Sequence, residues 1–345
     1  MTNFRYPSTR YAGSKLRLLD WIWGNIKDIK FKSALDLFGG TGSVSLLFKK
    51  HGKQVMYNDI LRFNQTIGLA IIENNKYKVS DNEISKVLDF NGERYPDFIQ
   101  KEFKDIFFLP EENAWLDKVV SNICRVKNKY KRAILFASLF QACLSKRPFN
   151  LFHRANLYIR TNNVSRTFGN KTTWEKPFEV LFRKYISEYN QAVFDNGQKN
   201  KVIGGHDALS APNGVDLVYL DPPYFSTSSH SGMNYLVYYH FLEGMVNYRK
   251  WKKNITYSGK IKRLKDTQEI LQWTRKAQIY ESFKRLLERF QDSIIVLSYQ
   301  SNGIPSKREI IDILASFKKK VKVKTRPHRY VLSPRKSEEL LFIAK

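Results

Sequence analysis

One stretch constrains the chain more than any other: Val215-Asp216-Leu217-Val218-Tyr219-Leu220-Asp221-Pro222-Pro223-Tyr224. Val215, Leu217, Val218, Tyr219 and Leu220 form a short apolar run of strand formers, the pattern of a buried strand. Asp221 stands where a parallel strand would end, and ligands of open α/β sheets bind outside those carboxyl ends. Pro223 holds Pro222 extended, and neither proline nitrogen can donate a hydrogen bond. The segment therefore offers acceptors, the Asp221 carboxylate and nearby carbonyls, beside the flat ring of Tyr224. Such a pocket suits a planar group that carries an NH2, such as the amino edge of adenine. That amine is a weak nucleophile because its lone pair is delocalised into the ring. Hydrogen bonds to Asp221 and the Pro222 carbonyl would draw it toward tetrahedral geometry, with Tyr224 stacked on the base. The same residues also suit a plain tight turn after a core strand, and only their surroundings decide between the two.

Those surroundings begin at the N-terminus. Tyr11-Ala12-Gly13-Ser14-Lys15 leads into a helix with Ser14 as its N-cap, and Leu16, Leu19, Ile22, Trp23, Ile26 and Ile29 share one helical face. A ring and an ammonium at a helix start are placed to hold a carboxylate. Ala34 to Phe38 reads as a strand, Gly39-Gly40-Thr41-Gly42-Ser43 as a turn that lets the backbone approach a ligand, and Val44 to Lys50 as a helix stopped at Gly52. No Gly-Lys-Ser/Thr follows, so this is not a P-loop. Gln54 to Tyr57 forms a second strand ending at Asn58-Asp59. An acid there can grip a ribose diol or cap the helix from Leu61 to Ile72, and both roles are compatible. Lys201 to Gly205 resumes the sheet and ends at His206-Asp207. Asp59, Asp207 and Asp221 thus each close a strand, which points to one crevice. Ser293 to Tyr299 reads as a further strand, and Val321 to Lys324, His328 to Leu332 and Leu340 to Ile343 as an antiparallel pair finishing the sheet.

The charge asks for a polyanionic partner. Fifty-nine Lys and Arg stand against 32 Asp and Glu, a net charge of +27, and nucleic acid is the first candidate. A lysine-rich proteome could raise the total, but would not cluster it. Between Arg249 and Lys265 there are eight Lys or Arg and no acid, with Trp251 and Tyr257 interleaved, a pattern suited to a phosphate backbone. From Ile313 to Ser337 there are nine basic residues and no acid. Residues 76–199 are largely helical and aromatic-rich, with a long apolar helix from Lys131 to Leu144. After it come Lys146, Arg147, Arg154, Arg160 and Arg166 with Asn156, Asn162 and Asn163, which can read bases or phosphates or form a solvated loop. The 42% hydrophobic content supports a real core. No apolar run reaches spanning length and no signal-peptide pattern is read at the start, so neither a membrane span nor a leader is expected. Cys124 and Cys143 lack metal spacing, so neither a disulfide framework nor a metal site is expected. A soluble protein inside the cell is expected.

Together these residues resemble the amino-methylating DNA methyltransferases that use S-adenosylmethionine. Leu35 to Val44 looks like their cofactor-binding motif, Asp221-Pro222-Pro223-Tyr224 like their catalytic motif in its N6-adenine form, and Tyr11-Ala12-Gly13-Ser14-Lys15 like the motif that precedes the glycine turn in the alpha group, which includes the Dam enzymes. Tyr239-His240-Phe241-Leu242-Glu243 and Leu297-Ser298-Tyr299 are similar to a restriction-modification subgroup. The resemblance implies an α/β fold: a Rossmann-like methyltransferase sheet, mostly parallel with an antiparallel pair at its C-terminal end, plus a largely helical target-recognition region. It implies a catalytic core of 1–75, 200–226 and 289–345, a recognition region of 76–199 and a basic, aromatic DNA-binding insertion of 227–288. Tyr11, Lys15, Asp36, Phe38, Gly39, Gly42, Asp59, Asp207 and Asp221 would line the cofactor pocket, with Asp59 on the ribose and Asp207 on the cofactor's adenine amine. Tyr11 departs from the Trp of the Dam enzymes but keeps a ring. Asp221, Pro222 and Tyr224 would hold a flipped adenine. Duplex DNA would meet Lys146, Arg147, Arg154, Arg160, Tyr239, His240, Lys252, Lys253, Lys260, Lys262 and Arg263. A monomer in the cytoplasm, at the nucleoid, is expected, with a restriction endonuclease acting separately. RNA adenine methylation and an inactive DNA-binding subunit are the alternatives.

Overall fold

The computed structural model describes residues 4–91, 94–162, 171–223, 225–226, 233–328 and 337–345. The chain divides into two compact units. A sheet unit comprises Lys15–Gly68, Asn196–Asn234 and Asp266–Lys345; a helical unit comprises Met1–Ser14, Leu69–Asp195 and Tyr235–Lys265. Against the sequence-based boundaries, residues 1–14 and 69–75 group with the helical unit, and 196–199, 227–234 and 266–288 with the sheet.

The sheet unit is built on seven strands: β1 (Ser33–Asp36), β2 (Gln54–Tyr57), β3 (Lys201–Val202), β4 (Leu217–Leu220), β5 (Ile294–Gln300), β6 (Val321–His328) and β7 (Ser337–Ala344), in the order β6-β7-β5-β4-β1-β2-β3. From β3 to β5 every neighbouring pair is parallel, and β7 runs antiparallel to both β5 and β6. The sheet is therefore mostly parallel with an antiparallel end, as expected. Strand β3 is shorter than Lys201 to Gly205. Of the expected strand from His328 to Leu332, His328 closes β6, while residues 329–332 lie outside the described residues.

The parallel strands carry apolar side chains on both faces because helices cover both. On one face Leu35, Leu37, Val218, Leu220, Ile295 and Leu297 meet Phe283, Leu286 and Leu287 of the Lys276–Arg289 helix and Ile310 and Leu314 of the Lys307–Ala315 helix. The first of these helices repeats its apolar residues every three to four positions, and the second starts with a capping box between Ser306 and Glu309. On the other face Tyr219 meets Phe48 of the Ser43–Lys50 helix edge to face, and Phe48 meets Phe31. Each fully buried Leu, Ile or Phe contributes about 1.5–3 kcal/mol through burial. Ser14 precedes a 3-10 turn from Lys15 to Leu18, and the α-helix from Leu19 to Ile26 has Leu18 at its N-cap position.

The strand order fixes where a ligand can lie. The chain goes outward from β1 to β2 and β3, then crosses back to β4 on the other side of β1. The crossovers diverge between β1 and β4, so a crevice opens beyond their carboxyl ends. Asp36 ends one of these strands, and Asp221 follows the other.

In the helical unit the Lys129–Lys146 helix is buried at every residue from Ala133 onward, and it packs on the Phe178–Ala192 helix, where the Ser145 and Tyr185 hydroxyls bond at 2.6 Å. Phe103, Phe107, Phe108, Phe152, Phe241 and Trp251 form one aromatic cluster in this unit, with ring centroids 5.0–6.2 Å apart. Gly244 lets Trp251 lie against the backbone: a Cβ there would come within 1.9 Å of the indole.

Candidate active site

The glycine turn after β1 is held by the side chains around it. The Gly39 amide donates to the Asn58 carbonyl at 2.8 Å, and the Gly40 amide donates to Asp59 Oδ2 at 2.9 Å. Gly40 and Gly42 sit at φ 50° and 70°, a left-handed conformation that disfavours larger residues. Gly39 is required for a different reason: a Cβ would come within 2.1 Å of the buried Tyr57 ring. Tyr57 in turn donates its hydroxyl to the Gly40 carbonyl at 2.7 Å. Strand β2 thus braces the turn from beneath.

Three carboxyl groups gather here. Asp36 Oδ2 accepts from the Ser45 amide and hydroxyl at 3.1 and 2.7 Å, so it caps the Ser43–Lys50 helix. Asp59 Oδ1 accepts from the Leu61 amide at 2.8 Å, just before the helix that starts at Arg62, while Oδ2 ties down Gly40. Asp221 Oδ1 lies 3.0 Å from the Lys15 ammonium. Burial pushes all three up: Asp36 to about 7, Asp59 to about 6 and Asp221 to about 6. For Asp221 the Lys15 charge opposes that rise and the Glu339 carboxylate adds to it. For Asp36 the charges of Asp221 and Asp59 add to burial, which places the three acids within electrostatic reach of one another. Asp207 is half-exposed after β3, with Gln272 Nε2 donating to its Oδ1 at 2.7 Å. The residues before it are tied to the same region: the Gly205 amide donates to the Asp59 carbonyl and Asn58 Nδ2 to the His206 carbonyl, both at 3.1 Å. Phe38 packs its ring edge-on against Trp273 at 5.3 Å.

Lys15, named from sequence as a cofactor residue, has a pairing that the sequence does not reveal. It is 6% exposed and lies 3.2 Å from Glu339 Oε1 as well as near Asp221. Glu339 is the member of this cluster that sequence reasoning missed. It is fully buried on β7 and accepts from the Ser298 hydroxyl at 2.6 Å. No motif marks Glu339, because it joins the others only through the antiparallel return of β7. Pro222 is buried beside Asp221. Tyr224, Asn163 and Arg166 lie outside the described residues.

In the helical unit Tyr11 stacks at 4.6 Å on Tyr239 and at 5.6 Å on Tyr235, with interplanar angles of 10° and 9°. The Ala12 amide donates to the Tyr239 hydroxyl at 2.7 Å.

The residues expected to meet DNA separate into two groups. Lys146 and Arg160 both engage Glu112 at 2.7 Å, with side chains 3% and 6% exposed. Arg147 is 1% exposed and donates to the carbonyls of Leu151 and Arg154. Burial beside Arg160 pushes it down to about 9. Tyr239 and His240 are wholly buried, and His240 Nε2 lies 3.1 Å from the Phe152 carbonyl, with burial holding the ring's affinity for a second proton down at about 4. These five side chains form the interior of the helical unit and do not present themselves to a phosphate, which corrects the expectation from sequence. The physical reason is that each has an internal partner in the folded unit. Arg154, Lys252, Lys253, Lys260 and Arg263 are exposed. Lys262 is half-buried, paired with Glu102 at 2.7 Å and over the Tyr257 ring. Lys252, Lys253, Lys260, Lys262 and Arg263 flank or lie on a short hairpin that pairs Ile255–Thr256 with Arg263–Leu264.

A mostly parallel sheet whose switch point carries a braced glycine turn on one strand and Asp-Pro-Pro on the next is the architecture of the Rossmann-like methyltransferases. The chain belongs to the D12 class N6 adenine-specific DNA methyltransferase family, whose pattern matches residues 11–313. It is 30% identical to the type II methyltransferase M2.HphI of Haemophilus parahaemolyticus over all of this chain and 99% of that protein. It is also similar to the modification methylase StsI of Streptococcus sanguinis, 27% identical over 96% of this chain, and to the type II methyltransferase M.FokI of Planomicrobium okeanokoites, 28% identical over 89%. The chain spans 51% and 47% of those two longer proteins. Membership makes the chain an adenine-specific DNA methyltransferase that needs a methyl donor and a DNA substrate. Among the described residues no helix is long and apolar enough to cross a membrane.

Proposed function

We propose that the chain transfers a methyl group from S-adenosylmethionine to N6 of an adenine turned out of duplex DNA, as the modification half of a restriction-modification system. The observation that carries this reading is the Asp221 carboxylate, held by Lys15 at the switch point beside the braced glycine turn. The residues fit the donor. Three carboxyl groups, Asp36 and Asp59 buried and Asp221 half-buried, favour a cationic ligand, and S-adenosylmethionine supplies a methyl group on a positively charged sulfur. Asp59 would hold the ribose hydroxyls, Asp207 the adenine amine, and the side-chain-free backbone of Gly39, Gly40 and Gly42 would let the ligand approach closely. Lys15 and Phe38 would complete its surroundings, with Asp36 shaping the turn through Ser45.

Asp221 then does two things for the target. It accepts a hydrogen bond from the N6 amine, which draws the lone pair out of conjugation. It also offers negative charge where positive charge grows on nitrogen during transfer. The Pro222 carbonyl accepts the second hydrogen and Tyr224 stacks on the base. Positioning and electrostatics supply the rate, and no covalent nucleophile is required. Flipping is needed because the amine is buried in the stack. Arg154, Lys252, Lys253, Lys260, Lys262 and Arg263 would meet the phosphates. The chain works as a monomer in the cytoplasm, at the nucleoid, with a cognate endonuclease as a separate protein; a stable dimer in gel filtration would overturn the first of these. The relatives' names as type II methyltransferases and modification methylases support the restriction-modification setting. One assay tests the reading: labelled S-adenosylmethionine with unmethylated duplex DNA, structured RNA or no acceptor. Label in DNA alone supports it, and label in RNA alone contradicts it.

A further inference from the structure

The charge cluster behind Asp221 extends beyond the Asp-Pro-Pro motif itself. Strand β7 runs antiparallel to β5, so its first residues arrive at the carboxyl end of the parallel strands. Glu339 is the third residue of β7, pairs in register with Gln300 and is fully buried. The residues that follow it, Leu340 to Ala344, are buried and apolar. A buried carboxylate costs several kcal/mol unless paired, and an apolar residue would be cheaper at such a place. Glu339 is paired twice, with the Ser298 hydroxyl at 2.6 Å and with Lys15 at 3.2 Å on the same oxygen. Lys15 also reaches Asp221, at 3.0 Å.

We propose that Glu339, fixed by Ser298, is a positioning residue for methyl transfer: it holds the Lys15 ammonium against Asp221 Oδ1, so that the remaining oxygen of Asp221 faces the incoming amine. Two carboxylates around one ammonium also leave a net negative charge at the place where positive charge develops. The inference rests on Asp221 being the acceptor for the target amine.

Among the described residues, Lys15, Glu339 and Asp36 face Asp221, with Tyr219 on its own strand. Lys15, Asp221, Tyr219 and Ser298 are among the groups that face Glu339. Removing the Glu339 charge takes a like charge away from Asp221 and lets it ionise at lower pH.

The test is single-turnover methyl transfer to unmethylated genomic DNA, measured against pH at saturating S-adenosylmethionine. The wild type is expected to lose activity as pH falls through about 6. Glu339→Gln is expected to move that acid limb down by about one pH unit and to lower the plateau rate roughly tenfold. Glu339→Asp keeps the charge, so its limb stays while its plateau falls. A Glu339→Gln limb and plateau equal to the wild type would overturn the inference. Should Glu339→Gln fail to fold, Ser298→Ala keeps every charge in place; a severalfold lower plateau supports the inference, and an unchanged plateau overturns it. The underlying reading fails separately, if Asp221→Asn keeps near-normal activity.

Discussion

Lys15 Nζ lies 3.0 Å from Asp221 Oδ1, and both side chains are largely out of water. The lysine comes from the turn before the first helix, and the aspartate from the end of β4. The sheet unit brings them together, and the charge on one sets the chemistry of the other. Replacing Lys15 with Met leaves two buried carboxylates without their shared cation. The expected cost is about 3–5 kcal/mol, read as a lower denaturant midpoint, together with loss of methyl transfer.

The pH dependence follows from the raised Asp221 group. Its carboxyl takes up a proton at about 6 rather than at its usual 3.8. The ionised form is the better acceptor, so methyl transfer is expected to fall as pH drops through about 6. Stability runs the other way. A raised folded-state value means that the native chain binds this proton more tightly than the unfolded chain. The group therefore favours folding most below 3.8, and this contribution is lost as pH rises through about 6. Rate and unfolding midpoint measured over the same pH range check both signs.

Gly39→Ala tests the brace under the glycine turn. The new Cβ must displace the buried Tyr57 ring, at an expected cost of about 1–3 kcal/mol or more. Binding of S-adenosylmethionine, followed by calorimetry, is expected to weaken in the same variant. Gly52→Ala is a poor control because of its φ of 71°, whereas Gly24→Ala meets nothing within 4 Å and is expected to leave binding unchanged.

The buried and exposed cations are expected to behave differently. Lys252→Gln, Lys260→Gln and Arg263→Gln are expected to weaken DNA binding and to reduce the slope of log affinity against log salt by about 0.9 for each phosphate no longer neutralised, with little change in Tm. Arg147→Met leaves the Leu151 and Arg154 carbonyls without their donor, and is expected to cost about 2–4 kcal/mol with no change in salt slope. Fluorescence anisotropy at several salt concentrations and thermal unfolding separate the two groups.

What could be read in the sequence was what lies close along the chain. Val215 to Asp221 announced a buried strand with an acid at its end, and Gly39 to Gly42 announced a turn between strand and helix; both stand in the structure. Asp59 as an acceptor just before the next helix was equally local. The readings that changed depend on partners far away. Lys146 and Arg160 look like phosphate ligands until Glu112 is found between them. Glu339 looks like one of two acids ahead of an apolar run until β7 brings it to Lys15. A cation in a sequence does not state whether it faces water or an acid, and only the fold supplies that.

The measurement that bears most directly on the central claim is digestion and mass analysis of genomic DNA from a methylation-free host expressing this chain. The expected result is N6-methyladenine with the wild type and none with a folded Asp221→Ala variant. N6-methyladenine at wild-type level with Asp221→Ala, or a different modified base with the wild type, would contradict it.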